Sequence, residues 1–175
     1  YVLKSFLRFM KATKITTTDY FMIGWRAYFA DKVWDFMVLR DRDPWQVFYR
    51  EAQMPMMYLP ETPGLIKIGE EAGWVPVKID GKKVENYFKR YAKPDTWSKV
   101  STKFYETHKV ACICDGPTLS VDFTKSNGTI KHLVYLMHEF PEEWHPSYQK
   151  ACRLMRYLER QAGTAKKSYA FFGSM

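Results

Sequence analysis

Cysteine and histidine are the side chains here best suited to nucleophilic or metal chemistry. His108, Cys112 and Cys114 lie close together, His132, His138 and His145 follow, and Cys152 stands apart. A structural zinc site takes four ligands, commonly with a Cys pair spaced by two to four residues. Here one residue separates Cys112 from Cys114 and no second pair exists. The spacing therefore predicts small buried side chains in a strand. Cys112 or Cys114 beside a histidine would permit thiolate attack, but the sequence offers no residue to orient that histidine. The chain has no Gly-rich phosphate loop, no Gly-x-Ser-x-Gly turn and no His-Glu-x-x-His helix. We expect no catalytic residue, no metal and no cofactor of its own.

A second set of residues could bind rather than react. Lys4, Arg8 and Lys11 recur at i, i+4 and i+7, and no acid falls among them. A solvated helix face usually interleaves opposite charges at this spacing. An acid-free stripe predicts a docking face for an acidic partner.

These residues need elements to position them. Leu3, Phe6, Leu7 and Met10 form one apolar stripe, which predicts a helix over Val2 to about Thr13. Thr16 to Asp19 supplies N-cap chemistry for a second helix. Met22, Trp25, Phe29, Val33 and Phe36 form one stripe there, and Ile23, Ala27, Ala30, Trp34 and Met37 another. A helix apolar on two faces is sandwiched between partners. It runs to Leu39, or breaks near Asp31 with a third helix starting there. Asp43-Pro44 opens a helix over Trp45 to Gln53. Prolines 55, 60 and 63 then enclose Met56, Met57, Tyr58 and Leu59 in an extended apolar strap. After Gly64 the pattern loosens. A short helix is expected from Lys83 to Ala92, a hairpin over 118–136 turning at Asn127-Gly128, and a last helix over 146–162 closed by Gly163.

With 175 residues and 46% hydrophobic residues, the chain can bury a core and is not disordered by composition. Aromatics reach 17%, a residue type enriched at interfaces, which favours a subunit of something larger. The net charge of +8 suits nucleic acid, an anionic membrane or an acidic protein. No RRM-type signature, zinc-finger spacing or Arg-dense helix supports nucleic acid. The best candidate span, Tyr20 to Leu39, contains Arg26, Asp31, Lys32 and Asp35, each costing about 2.5–3.5 kcal/mol near a bilayer centre. No transmembrane helix is expected. Three cysteines suggest a reducing compartment. The chain begins at Tyr1, and a preceding segment such as a targeting sequence is expected.

The order of these features resembles the LYR-motif accessory subunits of mitochondrial complex I, of the beta-subcomplex type. Phe6 stands for the motif's aromatic, with Ser5 in place of the flanking Leu and the basic residue displaced to Arg8. Arg26 and Phe29 match the second motif. Phe48-Tyr49-Arg50 and the strap to Gly64 match the third element, the most specific part. The resemblance covers about residues 2–64. It implies a mainly α fold with an N-terminal three-helix unit over 1–54 and the strap over 55–72. Residues 73–175 would be an irregular extension with a short helix, the hairpin and the C-terminal helix.

By that resemblance the chain would be a non-catalytic subunit on the matrix side of the mitochondrial inner membrane. It would contact other membrane-arm subunits, bind no nucleic acid, and dock an acyl carrier protein. Lys4, Arg8, Lys11 and Arg26 would pair with the carrier's acids, each exposed pair worth roughly 0.2–1 kcal/mol. The acyl chain on the carrier's phosphopantetheine would enter a tunnel lined by Phe6, Met10, Trp25 and Phe29, gaining about 0.8 kcal/mol per buried CH₂. An accessory protein of the mitochondrial ribosome or ATP synthase is the alternative. A small thiol enzyme using Cys112 or Cys114 is the reading from another class.

Overall fold

The structure, a computed structural model, describes residues 13–16, 18–27, 32–53, 65–68, 73–93, 95–101, 118–136 and 140–164. Within residues 20–53 the described elements are strands. Strand β2 (Tyr20–Ala27), β3 (Lys32–Leu39) and β4 (Gln46–Gln53) run antiparallel as a meander. This overturns the expected mainly α fold and its three-helix unit. An apolar run buried on all sides looks alike whether it is helix or strand. Phe21, Ile23 and Trp25 are buried on one face of β2, and Tyr20 and Met22 on the other. Residue type decides between the two forms. Aromatic and β-branched side chains favour the pleated sheet, and Gly24 at mid-segment would weaken a helix by about 1 kcal/mol relative to Ala. Asp19, expected as an N-cap, instead accepts from Arg40 Nε at 2.8 Å, while its carbonyl accepts from the Arg40 N–H at 2.9 Å. The two residues clamp the open end of the β2–β3 pair.

The full sheet has six antiparallel strands in the order β6-β4-β3-β2-β7-β8. Its remaining strands are β6 (Trp74–Pro76), β7 (Thr118–Thr124) and β8 (Ile130–Leu136). β1 (Thr13–Thr16) and β5 (Leu65–Ile68) form a separate antiparallel pair. The turn between β7 and β8 contains Gly128 at φ 79°, a value that suits glycine.

Helices lie on one face of the sheet: α1 (Gly81–Tyr91), α2 (Asp95–Ser98) and, after a 3₁₀ turn, α3 (His145–Ala162). Asp80 caps α1 by accepting from the N–H groups of Lys82 and Lys83. Gly163 ends α3 in the left-handed region, and the Thr164 N–H donates to the Glu159 carbonyl. Val84 and Phe88 of α1, Trp97 of α2, and Leu154, Met155 and Leu158 of α3 pack on this sheet face. The Phe21 ring lies 5.1 Å from Phe88 and 5.3 Å from Trp97. Trp97 Nε1 donates to the Ser147 carbonyl, tying α2 to α3. The opposite sheet face buries a second cluster of Tyr20, Met22, Met37, Leu39, Phe48 and Trp74.

Candidate functional site

One register line crosses the whole sheet through Val134, Ser120, Gly24, Asp35, Arg50 and Trp74. Directly paired residues share a face. These side chains therefore lie with the Met22–Met37–Phe48 cluster, on the face away from the helices. Arg50 donates to Asp35 Oδ2 from Nε at 3.1 Å and from Nη2 at 2.8 Å. Asp35 is 1% exposed. The Arg50 guanidinium carbon sits 4.2 Å from the Trp74 ring centroid, a cation–π contact that holds the fork in place. Gly24 makes room for the carboxylate. A Cβ there would lie 2.0 Å from Asp35 Oδ1 and 3.2 Å from Ser120 Oγ.

A second polar pair stands two residues along β7. Asp122, 6% exposed, meets His132 Nδ1 directly across the β7–β8 ladder. The His132 side chain is half exposed. At the sheet's end Arg40 Nη2 donates to the Thr124 carbonyl at 2.9 Å, joining the β2–β3 pair to β7. Each pair spans two or more strands. Tyr49, on the helix side, accompanies Glu51 at 3.3 Å, and burial together with that carboxylate pushes its phenol well above the usual range.

The nucleophile inventory is quiet by comparison. Burial raises the Cys152 thiol, against the opposing pull of Tyr148 and Arg156. A raised thiol is the reverse of what an attacking thiolate needs. Among the described residues no group of three or more His, Cys, Asp or Glu is placed to hold a metal ion.

The residues expected to dock a carrier protein fare unevenly. Lys4, Phe6, Arg8, Met10, Lys11 and Phe29 lie outside the described residues, as do His108, Cys112, Cys114, His138 and residues 55–64 and 69–72 of the strap expected over 55–72, whose residues 65–68 form β5. Arg26 falls in β2, opposite Val33 and Thr118. Trp25 is fully buried in the core beneath the helices. The second helix of the expected tunnel is the strand pair β2–β3, so Trp25 lines no seam between two helices. Sequence reasoning missed Gly24, Asp35, Arg50 and Trp74. Asp35 inside an apolar run was the available signal, since a charge there must find a partner.

The class defined by this architecture is α+β, an antiparallel sheet with helices segregated to one face. No family model, curated protein or solved structure matches the chain.

Proposed function

We propose that the chain is a non-catalytic accessory subunit of a larger mitochondrial assembly, and that the assembly is complex I. One observation carries the non-catalytic part. Three charged pairs on the sheet join neighbouring strands or their ends: Asp35 with Arg50, Asp122 with His132, Asp19 with Arg40. Such pairs fix register and hold a scaffold rigid. The abundance of aromatic residues supports a chain that meets neighbours. Complex I is supported by the motif order and the strap resemblance alone. Docking of an acyl carrier protein through a three-helix unit does not form part of the proposal, because Tyr20–Ala27, Lys32–Leu39 and Gln46–Gln53 are strands. The second reading, an accessory protein of the mitochondrial ribosome or ATP synthase, is favoured by the net charge of +8.

The test is native electrophoresis of the affinity-tagged chain from its own cells, followed by mass spectrometry of the band. Co-migration with complex I subunits is expected. Ribosomal or ATP synthase subunits in the band would select the second reading. A tagged chain migrating alone as a monomer would overturn both.

A further inference from the structure

We propose that the outer surface of α1 and α3 is a docking site for an acidic segment of a neighbouring protein, a proposal that rests on the accessory-subunit reading. Tyr87 of α1 and Tyr157 of α3 stack with ring centroids 3.9 Å apart and planes 7° from parallel. Tyr91 continues the row, 5.1 Å from Tyr87 and 51% exposed. The Tyr87 hydroxyl donates to the Arg153 carbonyl at 3.5 Å. Arg153, Tyr157 and Arg160 follow at i, i+4 and i+7, so they share one stripe of α3 beside α1. The positive charges of Arg160 and Arg153 both act on the Tyr87 phenol, which burial nonetheless raises. The Arg90 guanidinium lies over the Tyr91 ring.

The acids nearby are already committed. The exposed side chains of α3 include no carboxylate, and its one acid, Glu159, is 5% exposed. On α1, Glu85 is gripped by Lys89 at 2.7 Å and Lys82 at 3.3 Å. Asp80 is the helix cap. The surface is thus three tyrosines framed by arginines, with lysines further out.

Three anionic partners could meet it, and the ring geometry favours one. Bases of a single-stranded nucleic acid stack on open aromatic faces. Here Tyr87 and Tyr157 cover one another, and the Arg90 guanidinium lies over Tyr91 at 5.1 Å. A membrane surface is gripped by large apolar side chains that insert below the headgroups. Among the described residues the exposed large hydrophobics are Val75 and Tyr91. What the surface presents is guanidinium forks and tyrosine edges. Arginine forks match carboxylates two bonds at a time. Tyrosine and arginine are also the residues enriched where proteins bind each other most tightly.

The experiment uses the native assembly and a carbodiimide, which joins lysine to carboxylate without a spacer. Lys83, one turn before Tyr87 on α1, and Lys150, one turn before Arg153 on α3, border the surface and are exposed. Both should join to Asp or Glu of one segment of one identified neighbour. In R153E/R160E those links should vanish and retention in the assembly should fall about tenfold or more. The charge-matched K78E/K125E should keep both. Should R153E/R160E fail to fold by circular dichroism, R153Q/R160Q serves in its place. Unchanged links and retention in the folded variant would overturn the docking surface while leaving the subunit reading intact. Links confined to the chain's own acids would do the same. Retention lost on nuclease treatment would assign the face to RNA, and retention lost on stripping anionic phospholipid would assign it to a membrane. Either result sinks the proposal. A wild-type chain found outside any assembly would instead remove the reading it rests on.

Discussion

Arg50 and Asp35 form a buried pair in which the cost of losing one partner falls on the other. Arg50→Ala takes the guanidinium away from a carboxylate that is 1% exposed, and breaking such a buried pair costs about 3–5 kcal/mol. Urea unfolding measures this, and a loss below about 1 kcal/mol would mean that the Asp35 charge is held without Arg50. Gly24→Ala attacks the same pair from the other side, since the new Cβ occupies the place of Asp35 Oδ1. Combining it with Asp35→Ala removes the clash. The double variant should therefore lose less than the sum of the two singles, with a coupling of about 0.5–3 kcal/mol. Strict additivity would show that the carboxylate moves aside freely. Asp35 and Arg50 were visible in the sequence as charges within apolar runs. Their meeting was not, because it depends on the register of β3 against β4 rather than on residues nearby in the chain.

Helix α1 starts under a backbone roof. A Cβ on Gly81 would lie 2.0 Å from the Trp45 carbonyl oxygen. Alanine is the better helix former by about 1 kcal/mol, yet Gly81→Ala should destabilise, because the obstructing atom is main chain. Thermal unfolding would show it, and a raised Tm would mean that the loop before β4 yields easily. Asp80→Ala, one residue earlier, should cost about 0.5–2 kcal/mol as an ordinary lost cap. Signals this local were legible. Asn127-Gly128 sits in the turn between β7 and β8, and Pro146 and Gly163 bracket α3, whereas α1 starts at Gly81, two residues before the expected Lys83. The central strands were not legible as strands. Their apolar residues fill both faces, so alternation, the usual mark of a strand, is erased. A helix-like stripe can be picked out of any such run, and Phe48-Tyr49-Arg50, placed in a helix, belongs to β4.

The molecule as a whole carries several buried protons that high pH will contest. Burial raises Cys152, Tyr148, Tyr157 and Tyr87, and it raises Tyr49 together with Glu51. A raised group in the folded state holds its proton after the unfolded chain has released one. Stability is then complete below the unfolded values and declines as pH climbs past them. The fall should begin near about pH 8.5, where a free thiol ionises, and steepen above about pH 10, where free tyrosine does. A Tm that stays level up to pH 11 would contradict it. The sheet's strand order has a further consequence, for biosynthesis. β2 is flanked by β3 from the adjoining sequence and by β7, which begins only at Thr118. A growing chain therefore emerges from the ribosome with one side of β2 bare. At translation speeds of about 5–20 residues per second, the missing strand arrives on the order of ten seconds later. During that interval the row of open N–H and C=O groups is a template for any other strand. Nascent chains of this protein should accordingly be clients of ribosome-associated chaperones until Thr124 has cleared the exit tunnel, and selective profiling of chaperone-bound ribosomes would locate that release point.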